Sequence, residues 1–300
     1  MMFRRIKRTL TGWKSSSYDI YKEIYSRYGG SVNMHPDAVR FFMERHKWKF
    51  EFFHFERKGE IHGAYFIANN QQIGLLARRE YPLNSDEIML PFSDKLRCFL
   101  PDCTNKLATH HKMHIINATW TIARKKRNCL VKERFSPKFE KRRRNEFRNF
   151  IRNGGSVRLI TEHSIQEIAD IYFSLFHIRY DNSVPCYKYR ELVAFLMHMQ
   201  KHLCGHILYW RGEPCAIDLV LKSESASNIY YDNPMGVVRS NSDCMRFSPS
   251  SVLIWLNIEQ AREYSICNQK KMFFSMGALT DEWKYKLLWT SPHTVGKSLF

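Results

Sequence analysis

The sequence has no apolar run of the length that crosses a membrane. A transmembrane helix needs about 18 or more consecutive apolar residues, and no segment of the 300-residue chain reaches that length. The chain begins Met-Met-Phe-Arg-Arg-Ile-Lys-Arg, a basic start that no apolar core follows, as a secretory signal would require. We therefore expect neither a membrane-spanning segment nor a secretory signal.

Paired cysteine motifs are also missing. The eight cysteines are scattered and form no C-x-x-C, so without a secreted context we expect reduced thiols. The densest group of metal-ligand residue types is Cys98, Cys103, His110, His111 and His114. Its spacing fits no common zinc site, and we expect no metal. The nucleophile motif G-x-S-x-G is absent as well.

Acidic residues are few relative to basic ones. The chain has 29 Asp and Glu against 47 Lys and Arg, which gives a formal net charge of +18. This excess predicts a polyanionic partner, either nucleic acid, anionic lipid or a phosphorylated substrate. Hydrophobic residues make up 44% of the chain and aromatic residues 14%, so extensive disorder is excluded.

Residues 1–14 form a basic segment without any acidic residue. Its apolar residues recur at spacings of three and four, as on one helical face: Phe3, Ile6, Leu10 and Trp13. The cations expected to meet anionic lipid are Arg4, Arg5, Lys7 and Arg8. We predict an amphipathic helix lying on a membrane surface, with an ordinary surface helix as the alternative.

Two stretches of the chain have the same order of predicted elements. The first has a helix over 36–47 and strands over 50–55, 61–68 and 73–76. The second has strands over 157–160, 207–210, 215–221, 228–232 and 272–276, with helices over 165–178, 190–201 and 249–264. A Gly-Glu turn occurs at Gly59-Glu60 and again 153 positions later at Gly212-Glu213. We predict an N-terminal segment 1–14 and two similar domains, 15–135 and 136–300.

The most basic segment lies between the two predicted domains. Residues 124–152 contain thirteen basic residues and three acidic ones. Ser136-Pro137 is typical of a helix start and Gly154-Gly155 of a helix end, so we predict a helix over 138–153. Its outward cations would be Lys141, Arg142, Arg143, Arg144 and Arg148. They predict a surface for a polyanion, either lipid, tRNA or DNA, with a merely solvated face as the alternative.

Four stretches in the second half carry a resemblance to a known fold. They are IYYDNP (229–234), SPSSVLIWLNIEQA (248–261), MFFSMG (272–277) and EWKYKLLW (282–289). In this order they resemble the GNAT (acyl-CoA N-acyltransferase) fold. Two such units in tandem resemble the FemAB-like peptidoglycan aminoacyltransferases and their relatives among exopolysaccharide acyltransferases. The resemblance implies an α/β (α+β) architecture with mixed central sheets flanked by helices, and acyl-CoA or aminoacyl-tRNA as donor.

The resemblance and the residue chemistry together give four candidate catalytic residues. Lys286, which follows Tyr285, has the position of the family's Tyr-Lys pair, where a lysine stabilises negative charge developing on the reacting carbonyl. Asp218 interrupts an apolar strand and Asp232 ends one. A carboxylate at such a place needs a partner and could accept a proton from an amine or hydroxyl. Alternatively, Asp232 is a turn residue and Asp218 faces solvent.

A helix start provides the candidate donor site. Ser248 is a suitable N-cap and Pro249 a suitable first residue, and the next free N–H groups, at Ser250 and Ser251, could hold a phosphate. The resemblance implies a Gly-rich pyrophosphate turn here, and the sequence lacks it. A plain capped helix is therefore the alternative.

The whole chain also resembles one narrower group. MMFRRIKRTLTGWK (1–14), GGSVNMHPDAVRFF (29–42) and the basic middle resemble the macrophage-inducible Mig virulence protein family of enteric bacteria. That resemblance implies resistance to cationic antimicrobial peptides and a peripheral location on the cytoplasmic side of the inner membrane.

Two alternative functions follow from the same sequence. Residues 164–182 begin Ser-Ile-Gln-Glu-Ile-Ala, similar to a helix-turn-helix, and with the positive charge they would fit a DNA-binding activator. The apolar periodicity runs unbroken to Ile178, however, which favours one long helix. A binding protein that keeps the fold without transferring a group is the second alternative.

Overall fold

A computed structural model describes residues 2–69, 72–75, 80–121, 126–181, 183–233, 236–239, 243–280 and 285–299, with side chains from residue 6 onward. The helices are α1 (Met2–Leu10), α2 (Tyr18–Tyr28), α3 (Pro36–His46), α4 (Pro137–Arg152), α5 (Ile165–Tyr180), α6 (Tyr189–His198), α7 (Pro249–Cys267) and α8 (Lys286–Trp289). The first strands are β1 (Trp13–Ser16), β2 (Phe50–Arg57), β3 (Glu60–Ala68), β4 (Ala118–Thr119), β5 (Arg127–Val131), β6 (Gly155–Leu159), β7 (Leu203–Cys204) and β8 (His206–Trp210). The others are β9 (Glu213–Asp218), β10 (Val220–Glu224), β11 (Asn228–Asp232), β12 (Gly236–Val238), β13 (Lys271–Ala278), β14 (Thr290–Thr294) and β15 (Lys297–Ser298).

A six-stranded mixed sheet in the order β14-β5-β13-β11-β10-β7 forms the centre of the second half. Strands β11 and β13 run parallel, with Asp232 opposite Ser275, and the other pairs in this sheet are antiparallel. The long helix α7 connects β12 to β13 and contacts β13 along the sheet. The carboxyl ends of the two parallel strands therefore lie side by side.

The strand predicted over 215–221 is wrong, because the chain divides there between two sheets. Its first part is β9, in a four-stranded sheet of order β12-β9-β8-β6. Its second part, β10, joins the six-stranded sheet. Both parts are apolar and buried, so the sequence pattern gives no sign of the break at Leu219. Asp218 consequently lies where the two sheets diverge.

The first half has a smaller sheet of three antiparallel strands, β1-β2-β3. Its hairpin turn, Lys58-Gly59, has φ of 54° and 78°, and the turn Arg211-Gly212 has φ of 51° and 89°. Both are two-residue turns in the left-handed region, which matches the twist of a hairpin. The strand predicted over 73–76 is wrong, because Ile73 makes only an isolated bridge to Ile67. Residue 76 of that prediction lies outside the described residues.

The two halves share one hydrophobic core. The largest cluster of buried apolar residues contains side chains from residues 13–115 and from residues 160–237. The rings of Phe41 on α3 and Phe195 on α6 illustrate the contact, with centroids 5.2 Å apart. Each half therefore orients the other through packed side chains.

The N-terminal segment is a helix, as predicted, but it is shorter than the predicted apolar face. α1 ends at Leu10, and Trp13 lies in β1, 3% exposed, where its Nε1 donates to the Phe99 carbonyl at 2.8 Å. Arg8 was predicted to meet lipid, and that prediction is wrong. Its guanidinium bonds the Asp102 carboxylate at 2.8 and 3.0 Å and stacks on Phe53 at 3.8 Å.

The other predicted lipid contacts have separate outcomes. The side chain of Lys7 is exposed. The side chains of Arg4 and Arg5 lie outside the described residues. Within the part of the chain that the structure describes, no helix has both the length and the apolarity to cross a bilayer.

Helix α4 presents four of its five predicted outward cations to solvent. The Ser136 hydroxyl accepts from the Phe139 N–H at 3.3 Å, which confirms the predicted cap. The exposed cations are Lys141, Arg142, Arg144 and Arg148, hereafter the α4 cations. The prediction that Arg143 faces outward is wrong. It is 5% exposed and lies over the rings of Phe139 and Trp289, 2.8 Å from the Glu146 carboxylate.

The helix-turn-helix interpretation of 164–182 is wrong. α5 runs without a break from Ile165 to Tyr180, and its start is a capping box in which Ser164 and Glu167 bond each other's backbone N–H. A helix-turn-helix needs a tight turn inside this stretch. The described residues of the segment contain a single helix instead.

Arg143→Ala should destabilise the protein by about 2 kcal/mol, because it removes the buried one of the two cations that pair with Glu146, the other being Arg142, and removes packing against two rings. The control is Arg148→Ala in the same helix, where the side chain is exposed and the expected change is within about 0.5 kcal/mol. Urea denaturation measures both. Equal effects would contradict the buried role of Arg143.

Candidate functional site

The carboxyl edge of the parallel pair β11 and β13 carries a buried carboxylate. Ligands bind at this edge in open α/β sheets. Asp232, the last residue of β11, is 2% exposed. Its Oδ2 accepts from the backbone N–H of Asn84 at 2.9 Å, and its Oδ1 has no hydrogen-bond partner. One oxygen of a buried acid is thus left for another group.

A second buried acid, Glu87, comes from the irregular segment after β3. It is 4% exposed. Its Oε1 accepts from the Tyr230 hydroxyl at 3.2 Å, and its Oε2 has no partner. Its negative charge contributes to raising the pKa of Asp232. The two carboxyl groups therefore influence each other inside the protein.

Two amide side chains complete a group that we call the buried polar cluster: Glu87, Asn128, Asp232 and Asn233. Asn128 Nδ2 and Asn233 Oδ1 are buried without a partner. Three of these residues adjoin Ser275, whose hydroxyl donates to Asn128 Oδ1 at 3.2 Å, whose carbonyl accepts from the Asn233 N–H at 2.9 Å, and which lies opposite Asp232 in the sheet. Glu87 joins the group through Asn128, which influences the pKa of its carboxyl. Each unpaired buried polar group costs about 1–3 kcal/mol, so four together indicate a place that receives a polar ligand.

Asp218 is connected to this cluster through Asn233. Its Oδ2 accepts from Asn233 Nδ2 at 3.2 Å and from Asn257 Nδ2 at 2.9 Å. A Cβ at Gly236 would lie 1.6 Å from Asp218 Oδ1, so only glycine fits there. The predicted strand carboxylate is buried and held by two amides rather than facing water.

Lys286 reaches the same edge of the sheet from α8. Its Nζ donates to the carbonyls of Met276 and Ala278 at the end of β13, the latter at 3.1 Å. The backbone between them turns at Gly277, with φ of 74°. Tyr285, which precedes Lys286, is 44% exposed, and the charge of Asp218 contributes to raising the pKa of Tyr285. The structure thus brings all four predicted catalytic residues to one region.

Burial shifts the pKa values of these groups toward neutral pH. It raises the pKa of Asp218 to about 6 and that of Asp232 to about 7. Burial likewise raises the pKa of Glu87 to about 7 and lowers the pKa of Lys286. A general base works best when its pKa lies near the working pH. The acids at this edge can therefore both accept and release a proton at neutral pH.

The predicted donor site is separate from the cluster. Ser248 precedes α7 and Pro249 is its first residue, as predicted, but Ser248 is left-handed with φ of 54° and its side chain caps nothing. The predicted side-chain cap is therefore wrong. Among the described residues, Ser248, Ser250 and Ser251 make no hydrogen bond to the buried polar cluster. Asn257, two turns further along α7, provides the helix's contact with Asp218.

Sequence reasoning did not find Glu87, Asn84, Asn128 or Ser275. Asn233 follows the predicted Asp232 directly, and that adjacency was its only available signal. Glu87 and Asn84 lie in an irregular segment with no periodicity, far along the chain from β11. The histidine-rich segment serves the fold, since buried His111 accepts from the Leu90 N–H through Nε2 at 2.7 Å.

Asp232→Asn should change how stability depends on pH. Burial raises the pKa of Asp232 from 3.8 to about 7, so between about pH 4 and pH 7 the folded protein keeps a proton that the unfolded chain has lost. The wild type therefore loses stability as pH rises through this window, and the variant, which cannot ionise there, loses less.

The measurement is the urea midpoint at pH 4, 5.5 and 7, with Asp243→Asn, whose carboxylate is 65% exposed, as the control. The stability of Asp232→Asn relative to the wild type should increase toward pH 7 by on the order of 1 kcal/mol or more. A pH-independent difference would contradict the buried, protonated acid.

Comparison with solved structures identifies the fold. FemX matches with a TM-score of 0.60 and 8% sequence identity, over 95% of this chain and 96% of FemX. A conserved protein of unknown function from Bacteroides thetaiotaomicron matches with a TM-score of 0.50 and 12% identity, over 97% of this chain and 100% of that one. These likenesses span both halves and confirm the predicted mixed α/β, tandem GNAT-like fold.

A tandem GNAT protein from the clavulanic acid biosynthesis pathway is also similar, with a TM-score of 0.46 and 9% identity, over 96% of this chain and 97% of that chain. No curated protein sequence matches the chain. The family model described as Mig-14 matches residues 35–298.

Proposed function

The chain belongs to the Mig-14 family, and we propose that it is a transferase that moves an acyl or aminoacyl group onto an amine or hydroxyl of a bacterial envelope component. The observation that carries the proposal is the set of unpartnered buried polar atoms on Glu87, Asp232, Asn128 and Asn233 at the carboxyl edge of β11 and β13. The resemblance to FemAB-like enzymes, stated above, supplies the class of reaction.

The residues at this edge can perform the steps of such a transfer. Asp232, with a free Oδ1 and a pKa raised to about 7, takes the proton of the attacking amine. The nitrogen forms a bond to the donor's carbonyl carbon. The Lys286 ammonium stabilises the resulting oxyanion. The donor's C–S or C–O bond then breaks, and the proton passes from Asp232 to the departing thiolate or alkoxide.

Glu87 and the amides position the acceptor in this proposal. A protonated amine entering the site satisfies the free oxygens of Glu87 and Asp232 with charged hydrogen bonds, which are stronger than neutral ones in a buried setting. It passes its extra proton to the Glu87 carboxylate, which later releases that proton to solvent, and then attacks as the neutral amine. An amine acceptor is therefore favoured over a hydroxyl. Asp218 acts at a distance, because its Oδ2 orients the Asn233 amide.

The proposal also covers the class of acyl or aminoacyl donor. The left-handed Ser248 and the missing Gly-rich turn favour an aminoacyl-tRNA over acyl-CoA. A tRNA would also account for the exposed α4 cations, since phosphate contacts dominate nucleic-acid affinity. Anionic lipid is the alternative partner of these cations.

The test offers labelled acetyl-CoA, palmitoyl-CoA or an aminoacyl-tRNA pool together with an envelope extract, and follows transfer of the label. Asp232→Asn and Lys286→Met should each lower the transfer rate by about 10²-fold or more. Asp243→Asn, an exposed carboxylate at the turn before α7, should keep it. Near-ultraviolet circular dichroism checks that the variants fold.

Two results would contradict the proposal. Equal transfer by wild type and Asp232→Asn would remove this acid from the chemistry. Absence of transfer from all three donors, in a folded protein, would favour a non-catalytic binding protein on the same fold.

We further propose that the protein sits on the anionic inner face of the inner membrane and contributes there to resistance against cationic antimicrobial peptides. Support comes from what we call the apolar–basic patch: Arg97, Phe99, Lys112, Met113 and Ile116. Met113 is 78% exposed and Ile116 50%. Both line one shallow depression together with Arg97 and Lys112. Apolar side chains flanked by cations are the combination that binds anionic lipid.

Helix α1 lies next to this patch. Arg8 holds it to Asp102, and Trp13 bonds the carbonyl of Phe99. Leu10, at the end of α1, is 81% exposed. In this arrangement α1, which Arg8 anchors to the body, adds the exposed Leu10 to the patch.

Met113→Asp combined with Leu10→Asp should abolish flotation with vesicles containing one third phosphatidylglycerol, because both side chains would leave the apolar layer. Deleting 1–14 is a poorer test, since it removes buried Trp13. The control is Met197→Asp, an apolar side chain on α6 that is 56% exposed and should leave flotation unchanged. Undiminished flotation of the double variant would contradict the patch as the membrane surface.

A further inference from the structure

Two histidines and an aspartate meet on the side of the molecule where α3 contacts the second half. His35 precedes α3, Asp37 lies in its first turn, and His202 ends the short 3₁₀ turn before β7. His202 Nε2 lies 2.8 Å from Asp37 Oδ2, and His35 Nδ1 lies 3.8 Å from the same oxygen. One ligand atom from each residue falls within 4.8 Å of the others.

We propose that His35, Asp37 and His202 form a binding site for a divalent transition metal such as Zn²⁺. Imidazole nitrogen and carboxylate oxygen are among the ligands that zinc takes, at about 2.0–2.2 Å. In a tetrahedral site such bonds separate the ligand atoms by roughly 3.4 Å, as follows from that bond length. The spacings of 2.8 and 3.8 Å lie on either side of this value, and the third pair of ligand atoms lies within 4.8 Å, so movements of these side chains alone can bring the three atoms around one ion.

The three side chains are also accessible to a metal ion. Their exposed fractions are 14%, 15% and 12% for His35, Asp37 and His202, which leaves an approach from solvent. On binding, His35 Nδ1 would exchange its present hydrogen bond, accepted from the Asp37 N–H at 3.0 Å, for the metal.

In the structure, a lysine ammonium provides the positive charge next to Asp37 that a bound metal would provide. Lys201 Nζ lies 2.7 Å from Asp37 Oδ2, and its side chain is 70% exposed. Such a side chain can swing into solvent at little cost in free energy, because an exposed ion pair contributes only about 0–1 kcal/mol. The ammonium therefore competes with a metal without blocking it.

The site joins parts of the chain that are far apart in sequence. α3 belongs to the first half, whereas His202 leads into β7 of the six-stranded sheet. A metal held by both would fasten α3 to the edge of that sheet. The fold should therefore gain thermal stability when the metal binds, because the ligand set exists only in the folded state.

Cobalt(II) is the probe, because its visible spectrum reports coordination and its near-ultraviolet thiolate band reports cysteine. Titration of the full chain should give visible bands of tetrahedral intensity without the thiolate band, and the melting temperature should rise with added Co²⁺ or Zn²⁺. His202→Gln and His35→Gln should each weaken binding at least tenfold. His62→Gln is the control, since His62 has a single carboxylate nearby, Glu60 at 3.9 Å.

Lys201→Met keeps the test decisive if a ligand variant fails to fold. It removes the competing ammonium from an exposed position, so metal affinity should rise several-fold. Unchanged affinity in Lys201→Met, or in a folded His202→Gln, would overturn the proposal. So would a thiolate band, which would assign the metal to cysteine, or the absence of binding by both wild type and Lys201→Met.

Discussion

The structure depends on one contact between its halves: the irregular segment around Asn84 and Glu87 closes the carboxyl edge of β11 and β13. The Asn84 N–H bonds Asp232 Oδ2, and its side-chain Nδ2 donates to the Ser275 hydroxyl at 3.3 Å. Glu87 adds its carboxyl from the same segment. Without this segment the edge would be open to water, and the acids would keep ordinary proton affinities. The first half therefore forms one wall of the buried polar cluster.

The same contact explains why the pKa values of these carboxyl groups are raised. Desolvation raises the pKa of a buried acid, and a second nearby acid raises it further. The protein thereby holds protonatable groups at neutral pH in a place where several polar atoms have no partner. Such an arrangement lowers stability unless a ligand completes it, and local loss of stability is common at functional sites. Lys286, bonded to backbone carbonyls at the end of β13, provides the opposite charge nearby.

Positive charge serves several different purposes in this chain. Arg8 and Arg143 are buried in ion pairs and stack on aromatic rings, so they contribute to the fold. The α4 cations remain on the surface, where Arg142 and Arg144 pair with Glu146 and Glu140. Arg97 and Lys112 flank exposed apolar side chains. A net charge of +18 thus divides into cations that hold the fold together and cations exposed on the surface, which composition alone does not distinguish.

The sequence by itself determined the order of most elements in the second half and the candidates Asp218 and Asp232, because periodicity and strand ends are local properties. Its resemblance to the GNAT fold supplied the fold family and the candidate Lys286. The sequence did not determine the split of 215–221 between two sheets, the burial of Arg8 and Arg143, or the left-handed Ser248. Those outcomes depend on neighbours contributed by distant segments. Only the tertiary structure brought Glu87 to Asp232 and His202 to His35 and Asp37, since residues more than a hundred positions apart share no local pattern and meet only through packing of the common core.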